Sequence, residues 1–312
     1  MRVLFIDSVH PILWERLSSN NFECVDGTSW SREQVLHQIS GYQGVVIRSR
    51  FTIDKTFLDA ASALQFIARS GAGLENINLD YAKEKGVEVF NSPEGNRDAV
   101  AEHALGMILS LFNHLKRADL EVRQGIWLRE ENRGLELKGK TVGIIGYGVM
   151  GTAFAQRLAG FGCKVIAHDK YKTGFGNELV EEVSLEALQE QADVVSLHLP
   201  QSAETMHYIN EAFINAMHKP FYLINTARGK NVSLEALING LESGKALGAC
   251  LDVLEVEKKS FEKLSSSDLS PAFQKLIASD KVLLSPHVAG WTEESYVKLS
   301  TFLADKILAW YQ

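Results

Sequence analysis

The stretch Lys140-Thr-Val-Gly-Ile-Ile-Gly-Tyr-Gly-Val-Met-Gly151 places a short apolar strand directly before three glycines with the spacing G-x-G-x-x-G. Gly146 lets the chain turn sharply out of the strand, Gly148 lets the backbone approach a pyrophosphate, and Gly151 lets the next helix pack close to the sheet. The pyrophosphate then lies at the helix N-terminus, where unpaired N–H groups and the helix dipole favour negative charge. The stretch therefore predicts a strand–turn–helix unit that binds a dinucleotide.

The next apolar run, Cys163-Lys-Val-Ile-Ala-His-Asp169, ends in a carboxylate 18 residues after Gly151. A carboxylate near this distance accepts hydrogen bonds from the ribose hydroxyls of the adenosine, which favours NAD over NADP. We therefore predict NAD as the cofactor.

The composition restricts the class of protein. With 312 residues, 46% of them hydrophobic and 23% charged, the chain is long enough for two globular domains. The net charge of -7 argues against general nucleic-acid binding, which needs clustered Lys and Arg. No stretch is apolar over the roughly 20 residues needed to cross a membrane, and we expect the N-terminal residues to form a strand rather than a signal peptide. The three scattered cysteines lack metal-ligand spacing and predict reduced thiols in the cytoplasm and no metal site.

Short apolar runs alternate with helical patterns along the chain, which predicts an α/β protein with parallel sheets. Because residues 1–139 precede the first nucleotide-binding strand, we expect two doubly wound, Rossmann-like domains. The predicted substrate domain comprises residues 1–97 and is completed by a C-terminal helix within residues 288–312, and the predicted NAD domain comprises residues 98–287. Beside the fingerprint, the predicted strands are 3–6, 44–48, 64–68, 87–90, 194–199, 222–225, 249–253 and 282–285.

Two further predictions concern local structure. Apolar residues from Val100 to Leu115 recur with a helical period and predict one long amphipathic helix. The Ser-rich residues 263–271 are predicted to form a surface loop.

Hydride exchange between nicotinamide and a keto acid needs a clamp for the substrate, a proton donor, and a group that holds this donor charged. Arg228 can contact a carboxylate with two N–H groups, His287 can protonate the carbonyl oxygen, and Glu257 can pair with the imidazole. Glu255 is the alternative partner of this histidine. A single His or Arg after a strand is more often structural, but a nucleotide fingerprint in the same sheet favours catalysis. Three other histidines are expected to be structural: His103, His198 and His218.

Several sequence blocks, in one order and covering nearly the whole chain, together resemble the D-isomer-specific 2-hydroxyacid dehydrogenases. Besides the glycine block they are Val46-Ile-Arg48, Ser70-Gly-Ala-Gly-Leu-Glu-Asn-Ile77, Asn91-Ser-Pro-Glu-Gly-Asn96, Val100-Ala-Glu102, Ser196-Leu-His-Leu-Pro200, Asn225-Thr-Ala-Arg-Gly229, Leu251-Asp-Val253 and Ser285-Pro-His-Val-Ala-Gly290. The resemblance implies two doubly wound domains with the active site in the cleft between them. It also implies a small 2-keto or 2-hydroxy acid as substrate, NAD as cofactor, and a homodimer with Trp127 in its contact.

The resemblance also assigns roles to residues. Arg228, Glu257 and His287 match its catalytic residues, and Asp252 matches an acid that holds the nicotinamide carboxamide. The other cofactor-binding residues that it implies are Gly146, Gly148, Val149, Met150, Gly151, Asp169, Leu199, Thr226, Ala227 and Gly290.

On the substrate side, the resemblance implies that backbone N–H groups around Ala72 and Gly73 cradle the substrate carboxylate. Arg48 suits a second anionic group, although a solvated arginine at a strand end is the alternative. Trp291 stands where the family often has a small residue, and we expect it to narrow the pocket.

These patterns predict an NAD-dependent dehydrogenase that interconverts a small D-2-hydroxy acid and its 2-keto acid. The two substrate assignments are 3-phosphoglycerate dehydrogenase and glyoxylate or hydroxypyruvate reductase, and Arg48 and Asp169 favour the first. A non-catalytic NAD-sensing protein, similar to corepressors that resemble this family, is the alternative of another class. The complete set of Arg228, Glu257 and His287 argues against it.

Overall fold

The computed structural model describes residues 1–257 and 270–312. Their contacts divide the chain into two compact units. Met1–Arg97 and Trp291–Gln312 form one, called here the terminal unit, and Asp98–Gly290 form the other, called the central unit. The loop predicted for residues 263–271 lies outside the described residues except for its last two.

Strands and helices alternate along the chain. The strands are β1 (Arg2–Phe5), β2 (Glu23–Asp26), β3 (Gly44–Ile47), β4 (Phe66–Arg69), β5 (Glu88–Asn91), β6 (Thr141–Ile145), β7 (Lys164–His168), β8 (Glu181–Glu182), β9 (Val194–Leu197), β10 (Phe221–Asn225), β11 (Ala246–Leu251) and β12 (Val282–Leu284). The helices are α1 (Pro11–Ser18), α2 (Arg32–Gln38), α3 (Lys55–Ala60), α4 (Leu79–Glu84), α5 (Arg97–Phe112), α6 (Leu115–Arg123), α7 (Val149–Leu158), α8 (Leu185–Gln191), α9 (Glu211–Ala216), α10 (Leu234–Ser243), α11 (Pro271–Ala278) and α12 (Glu293–Tyr311).

The terminal unit contains a parallel sheet with the strand order β2-β1-β3-β4-β5. Alternate residues of β1 enter two different cores. Val3 packs with Leu303 of α12 on one face, and Leu4 packs with Val35 of α2 on the other. Both faces are therefore covered by helices, as in doubly wound sheets, and the winding direction changes between β1 and β3.

The central unit contains a parallel sheet with the order β12-β11-β10-β9-β6-β7-β8. Ile144 of β6 packs with Phe154 of α7, whereas Ile145 packs with Leu223 of β10 on the opposite face. The winding direction changes between β6 and β9. Ligands of such sheets bind outside the carboxyl ends of the strands at this position.

The long predicted helix is shorter than its apolar pattern suggests. Helix α5 ends at Phe112, and His114 adopts a left-handed conformation with φ of 51° before α6 begins at Leu115. The Leu115 side chain is 55% exposed. The prediction of one amphipathic helix from Val100 to Leu115 is therefore wrong at its C-terminal end, because the left-handed His114 separates Leu115 from α5.

Edge strands β2 and β8 were not predicted from the sequence. Each is short, and its side chains are exposed or half-buried, so neither has a continuous apolar run. Within residues 1–257 and 270–312, no helix is long and apolar enough to span a bilayer.

Candidate active site

The glycine loop follows β6 at the point where the sheet changes its winding direction. Gly146 has φ of 92°, and an added Cβ would lie 2.6 Å from the carbonyl oxygen of His198. At Gly151 an added Cβ would lie 2.1 Å from the Gly146 carbonyl oxygen. At Gly148, in contrast, it would meet no heavy atom of the described residues within 4 Å. The first and third glycines therefore shape the loop, and the second leaves open space beside the backbone.

Helix α7 begins directly after this open space. Its N-cap is Gly148, which makes no side-chain capping bond. Val149 and Met150 supply N–H groups of the first turn, and such groups have no acceptor within the helix. Because the helix dipole is positive at this end, the backbone is arranged to bind a phosphate without a basic side chain in the loop.

Asp169 follows β7, and its carboxylate connects two loops. One oxygen accepts the N–H of Tyr147 at 2.8 Å, and the other accepts those of Tyr171 at 2.9 Å and Lys172 at 3.0 Å. Partial burial raises the pKa of this carboxyl, but the three N–H groups and the Lys172 ammonium outweigh it and hold the pKa below 3.8. The carboxylate is ionised at neutral pH. It has about four acceptor positions in all, and those that the three N–H groups do not fill remain for ribose hydroxyls.

Leu199 and Thr226 follow the neighbouring strands β9 and β10. The Leu199 Cδ2 atom lies 3.1 Å from the position of a Cβ built on Gly146, so Leu199 borders the glycine loop. Ala227 is buried, and its N–H donates to Asn225 Oδ1 at 3.0 Å. The Thr226 hydroxyl oxygen is buried and has no hydrogen-bond partner in the described part of the chain. A buried polar atom of this kind is usually satisfied by a ligand or water.

Asp252 follows β11, and its carboxylate is almost completely buried. Oδ1 accepts the Ser285 hydroxyl at 2.6 Å and the Val288 N–H at 2.9 Å, and Oδ2 accepts the Ala289 N–H at 2.9 Å. A carboxylate has about four acceptor positions, and these three groups fill three of them. The remaining position on Oδ2 suits an amide donor such as the nicotinamide carboxamide.

His287 and Glu257 lie together after the adjacent strands β12 and β11. Glu257 Oε2 is 2.9 Å from His287 Nδ1, and both side chains are about 30% exposed (30% and 29%). His287 has φ of 56°, a conformation that costs a non-glycine residue about 1–3 kcal/mol. Glu255 instead pairs with His207 and accepts the Leu234 N–H at 2.9 Å. In this structure Glu257, rather than Glu255, therefore contacts the histidine.

Arg228 follows β10, next to the strand that precedes Glu257. Its Nη1 donates to the Ala227 carbonyl oxygen at 2.7 Å, and its own carbonyl oxygen accepts the Asn225 side-chain amide at 2.9 Å. A Cβ on Gly229 would lie 2.0 Å from the Leu254 carbonyl oxygen, so this turn packs against the segment that leads to Glu257. The carboxyl ends of β10, β11 and β12 thus bring Arg228, Asp252, Glu257 and His287 to one edge of the sheet. Gly290 is the last residue of the central unit.

The substrate-side residues predicted from the sequence belong to the terminal unit. The N–H groups of Arg48, Ser49 and Arg50 donate to one oxygen of Asp7 at 3.0, 2.8 and 3.0 Å. Asp7 follows β1, and Arg48 follows β3, where the winding of this sheet changes. The Arg48 guanidinium lies 4.3 Å from the centroid of the Trp291 ring, a cation–π distance.

The turn at residues 70–73 follows β4. The Ala72 carbonyl oxygen accepts the Asn91 side-chain amide at 2.6 Å, which fixes one peptide of this turn next to Gly73. A Cβ on Gly71 would lie 1.5 Å from Arg69 Nη1, so the Arg69 guanidinium packs against Gly71 of this turn. A cation in this place favours an anion at the N–H groups of the turn.

Some residues at these sites were missed by the sequence reasoning. His103, which was expected to be structural, lies beside this site, with its Nε2 2.9 Å from the Ser285 hydroxyl that contacts Asp252. Asp7 and Arg69 carry no motif beyond their place beside a strand end. For Asp7, its position directly after an apolar strand was an available signal. Among residues 1–257 and 270–312, no group of three His, Cys, Asp or Glu side chains is arranged to hold a metal.

The central unit fits a dinucleotide. The space beside Gly148, the uncapped start of α7, the buried Thr226 hydroxyl and the remaining acceptor position of Asp252 are each features that a bound dinucleotide would use. The fold and these residues define a dinucleotide-binding α/β protein with an acid–base pair at the carboxyl edge of its sheet.

Comparison with known proteins identifies the family. The family model of the D-isomer specific 2-hydroxyacid dehydrogenase NAD binding domain matches residues 105–289. The hydroxypyruvate reductase of Thermotoga maritima is 36% identical over 276 residues, which cover 88% of this chain and 87% of that protein. The D-3-phosphoglycerate dehydrogenase of Archaeoglobus fulgidus is 31% identical over 310 residues, which cover 99% of this chain but only 57% of that protein.

A solved structure agrees with these relatives. The crystal structure of a D-lactate dehydrogenase from Aquifex aeolicus, complexed with NAD and lactic acid, has a TM-score of 0.82 at 29% identity and covers 100% of this chain and 95% of its own. The chain belongs to the D-isomer specific 2-hydroxyacid dehydrogenase family and is an NAD-dependent oxidoreductase. The predictions of two parallel-sheet α/β units, of NAD as cofactor and of dehydrogenase activity are confirmed.

Proposed function

We propose that this protein interconverts a small D-2-hydroxy acid and its 2-keto acid, with Arg228, Glu257 and His287 as the catalytic residues. The observation that carries this proposal is the contact between Glu257 and His287 at the carboxyl edge of the nucleotide-binding sheet. In this proposal the central unit binds the dinucleotide, and the terminal unit binds the distal part of the substrate.

The cofactor, when bound, supplies the hydride acceptor or donor. The residues of the chain supply the other requirements. Glu257 accepts the Nδ1 hydrogen of His287, which fixes the orientation of the imidazole. The Nε2 atom then exchanges the proton with the substrate oxygen, as donor in reduction and as acceptor in oxidation. Arg228 presents a planar set of N–H donors that matches a carboxylate or a keto oxygen.

For the substrate, we propose 3-phosphoglycerate and its keto acid. The Arg48 guanidinium is half-buried, and its face is covered by Trp291. Its Nη1 makes a long hydrogen bond to the Ser8 carbonyl oxygen at 3.4 Å, so its edge keeps further N–H groups for an anion. The nearby Arg50 donates to the carbonyl oxygens of Ile6 at 3.1 Å and Trp30 at 2.8 Å, which gives it a structural role. Arg48 is therefore the better candidate for the substrate phosphate.

Two substrates that differ by one phosphate test this assignment. The ratio of kcat/KM for 3-phosphohydroxypyruvate to that for hydroxypyruvate is measured with NADH in the wild type and in Arg48→Gln. Loss of a charged hydrogen-bond partner, about 1.5–3 kcal/mol, lowers kcat/KM for the phosphorylated substrate about 10- to 150-fold. Hydroxypyruvate is the matched control and is expected to change little. An equal loss for both substrates would show that Arg48 does not contact the phosphate.

Hydroxypyruvate or glyoxylate reduction is the second candidate. It is favoured by the relative from Thermotoga maritima, which matches this chain over 87% of its own length, whereas the phosphoglycerate dehydrogenase from Archaeoglobus fulgidus is matched over 57%. A wild-type preference for the unphosphorylated acids would support it. A kcat far below roughly 1 s⁻¹ on every keto acid would instead support an NAD-sensing protein, because typical enzymes reach about 1–10³ s⁻¹.

We also propose a homodimer in the cytoplasm. Trp127 is 80% exposed, and exposed apolar side chains surround it in sequence: Leu115, Leu120, Val122, Ile126 and Leu128. Such a concentration of exposed apolar side chains is typical of a protein interface. The three cysteines are free thiols, which suits a reducing compartment.

Light scattering after size exclusion tests the dimer. Trp127→Asp is expected to shift the mass from a dimer to a monomer. Leu179→Asp, at another exposed leucine of the central unit, is the matched control and is expected to remain dimeric. A monomeric wild type would refute the dimer, and a Trp127 variant that keeps the dimeric mass would refute the placement of Trp127 in its contact.

A further inference from the structure

Asp252 makes several of the hydrogen bonds that hold the loop carrying His287. The His287 N–H donates to the Asp252 carbonyl oxygen at 2.7 Å, and the N–H groups of Val288 and Ala289 donate to the Asp252 carboxylate at 2.9 Å each. These bonds support the left-handed conformation of His287, with φ of 56°. The direction of the imidazole therefore depends on the position of Asp252.

Asp252 is in turn connected to helix α5 through Ser285. The Ser285 Oγ atom is 2.6 Å from Asp252 Oδ1 and 2.9 Å from His103 Nε2. A serine hydroxyl has one proton to donate. Because the Asp252 carboxylate accepts two backbone N–H groups, it acts as the acceptor of the Ser285 proton as well. The Ser285 oxygen must then accept from His103, so His103 carries a hydrogen on Nε2.

The direction of these hydrogen bonds determines whether the Ser285 hydroxyl proton goes to Asp252. A serine hydroxyl rotates freely, and Met107, one turn from His103 on α5, places its Sδ 3.8 Å from the Ser285 Oγ as a competing weak acceptor. His103 donates into Ser285 and leaves the hydroxyl proton for the carboxylate. His103 Nε2 also lies 3.6 Å from Oδ1 of the buried Asp252 carboxylate.

We infer that His103 is a positioning residue of the active site: its Nε2–H directs the Ser285 hydroxyl to Asp252, which holds the His287 loop. The inference rests on the proposed function, in which His287 exchanges the proton with substrate. His103 does not need to contact substrate or cofactor for this role.

Two substitutions at position 103 test the inference. His103→Gln keeps an N–H donor at a similar distance from the backbone, and His103→Leu removes it. Deuterium exchange of the peptide with residues 285–291 is measured by mass spectrometry without ligand, together with kcat for the best keto acid. The loss of one hydrogen bond makes the Leu variant exchange about three- to tenfold faster and lowers its kcat by a similar factor. The Gln variant is expected to recover most of both.

Controls separate positioning from a general loss of stability. Ser110→Ala, two turns further along α5, is expected to match the wild type in exchange and kcat. If His103→Leu does not fold, the pair Ser285→Ala and Ser285→Thr provides the same comparison, because threonine keeps the hydroxyl. The inference would be overturned if the peptide exchanged deuterium at the wild-type rate in His103→Leu. It would also be overturned if His103→Leu and His103→Gln changed exchange and kcat equally. If the wild type reduces no keto acid, the proposed function fails, but the exchange experiment still tests the hydrogen-bond chain.

Discussion

Alanine substitutions at two glycines of the glycine loop, Gly148 and Gly151, are expected to affect dinucleotide binding and stability differently. Alanine at position 148 places its Cβ in the open space beside the loop, whereas alanine at position 151 places it 2.1 Å from the Gly146 carbonyl oxygen. The backbone at Gly148 has φ of -85°, which alanine also adopts. The small loss of N-cap preference is offset by about 0.4–1 kcal/mol from the reduced freedom of the unfolded chain. Gly148→Ala is therefore expected to unfold at nearly the wild-type temperature.

The affinity for the dinucleotide, unlike the unfolding temperature, is expected to fall in Gly148→Ala. A Cβ at position 148 separates the backbone from the pyrophosphate, and one lost charged hydrogen bond, about 1.5–3 kcal/mol, raises the Kd for NADH about 10- to 150-fold. Gly151→Ala overpacks the start of α7, which costs about 1–3 kcal/mol and lowers the Tm by about 2–12 °C.

Fluorescence titration with NADH and thermal unfolding without ligand measure the two effects in the same samples. The wild type and both variants are compared at one protein concentration and ionic strength. A wild-type Kd in Gly148→Ala would show that the open space beside Gly148 is not where the dinucleotide binds. A Tm loss in Gly148→Ala equal to that in Gly151→Ala would refute the steric argument for both glycines.

Four other predictions follow from the site and the core. His287→Ala is expected to lower kcat about 10²- to 10⁴-fold while the Kd for NADH stays nearly unchanged; steady-state kinetics and titration check this, and a large loss of NADH binding would contradict the role as proton donor. Asp169→Ala is expected to raise kcat/KM with NADPH relative to NADH, and an unchanged ratio would remove the basis for the cofactor preference. Because the pKa of Asp169 is depressed below 3.8 on folding, its contribution to stability is present above that value and is lost as the pH falls through the lower folded pKa; urea unfolding of the wild type and Asp169→Asn should therefore converge in acid. Burial raises the pKa of the Cys250 thiol, so mass spectrometry after a thiol reagent should find Cys250 modified only in unfolded protein.

Much of this architecture could be predicted from short stretches of sequence. The buried strands have continuous apolar runs, and the glycine spacing specifies the turn into α7, because both depend on residues that are neighbours along the chain. The edge strand β2 could not be predicted, since its four residues are exposed or half-buried and lie beside a single partner, β1. Leu115 matches the period of α5, but the left-handed His114 ends that pattern.

For the candidate site, too, some features could be predicted from the sequence and others could not. The sequence determined the types of residue at the strand ends, so Arg228, Glu257 and His287 could be named without coordinates. It did not decide between Glu255 and Glu257, two residues apart, because this depends on which side chain faces the loop after β12 and which faces His207.

Only the tertiary structure brought His103 into contact with Ser285, which is 182 residues away in the sequence. Sequence patterns over short stretches predict helices, strands and turns, because these depend on the backbone conformation of residues that are neighbours along the chain. The pairing of distant polar groups depends on how sheets and helices pack, and on which donors and acceptors remain to be satisfied when a carboxylate such as that of Asp252 is buried.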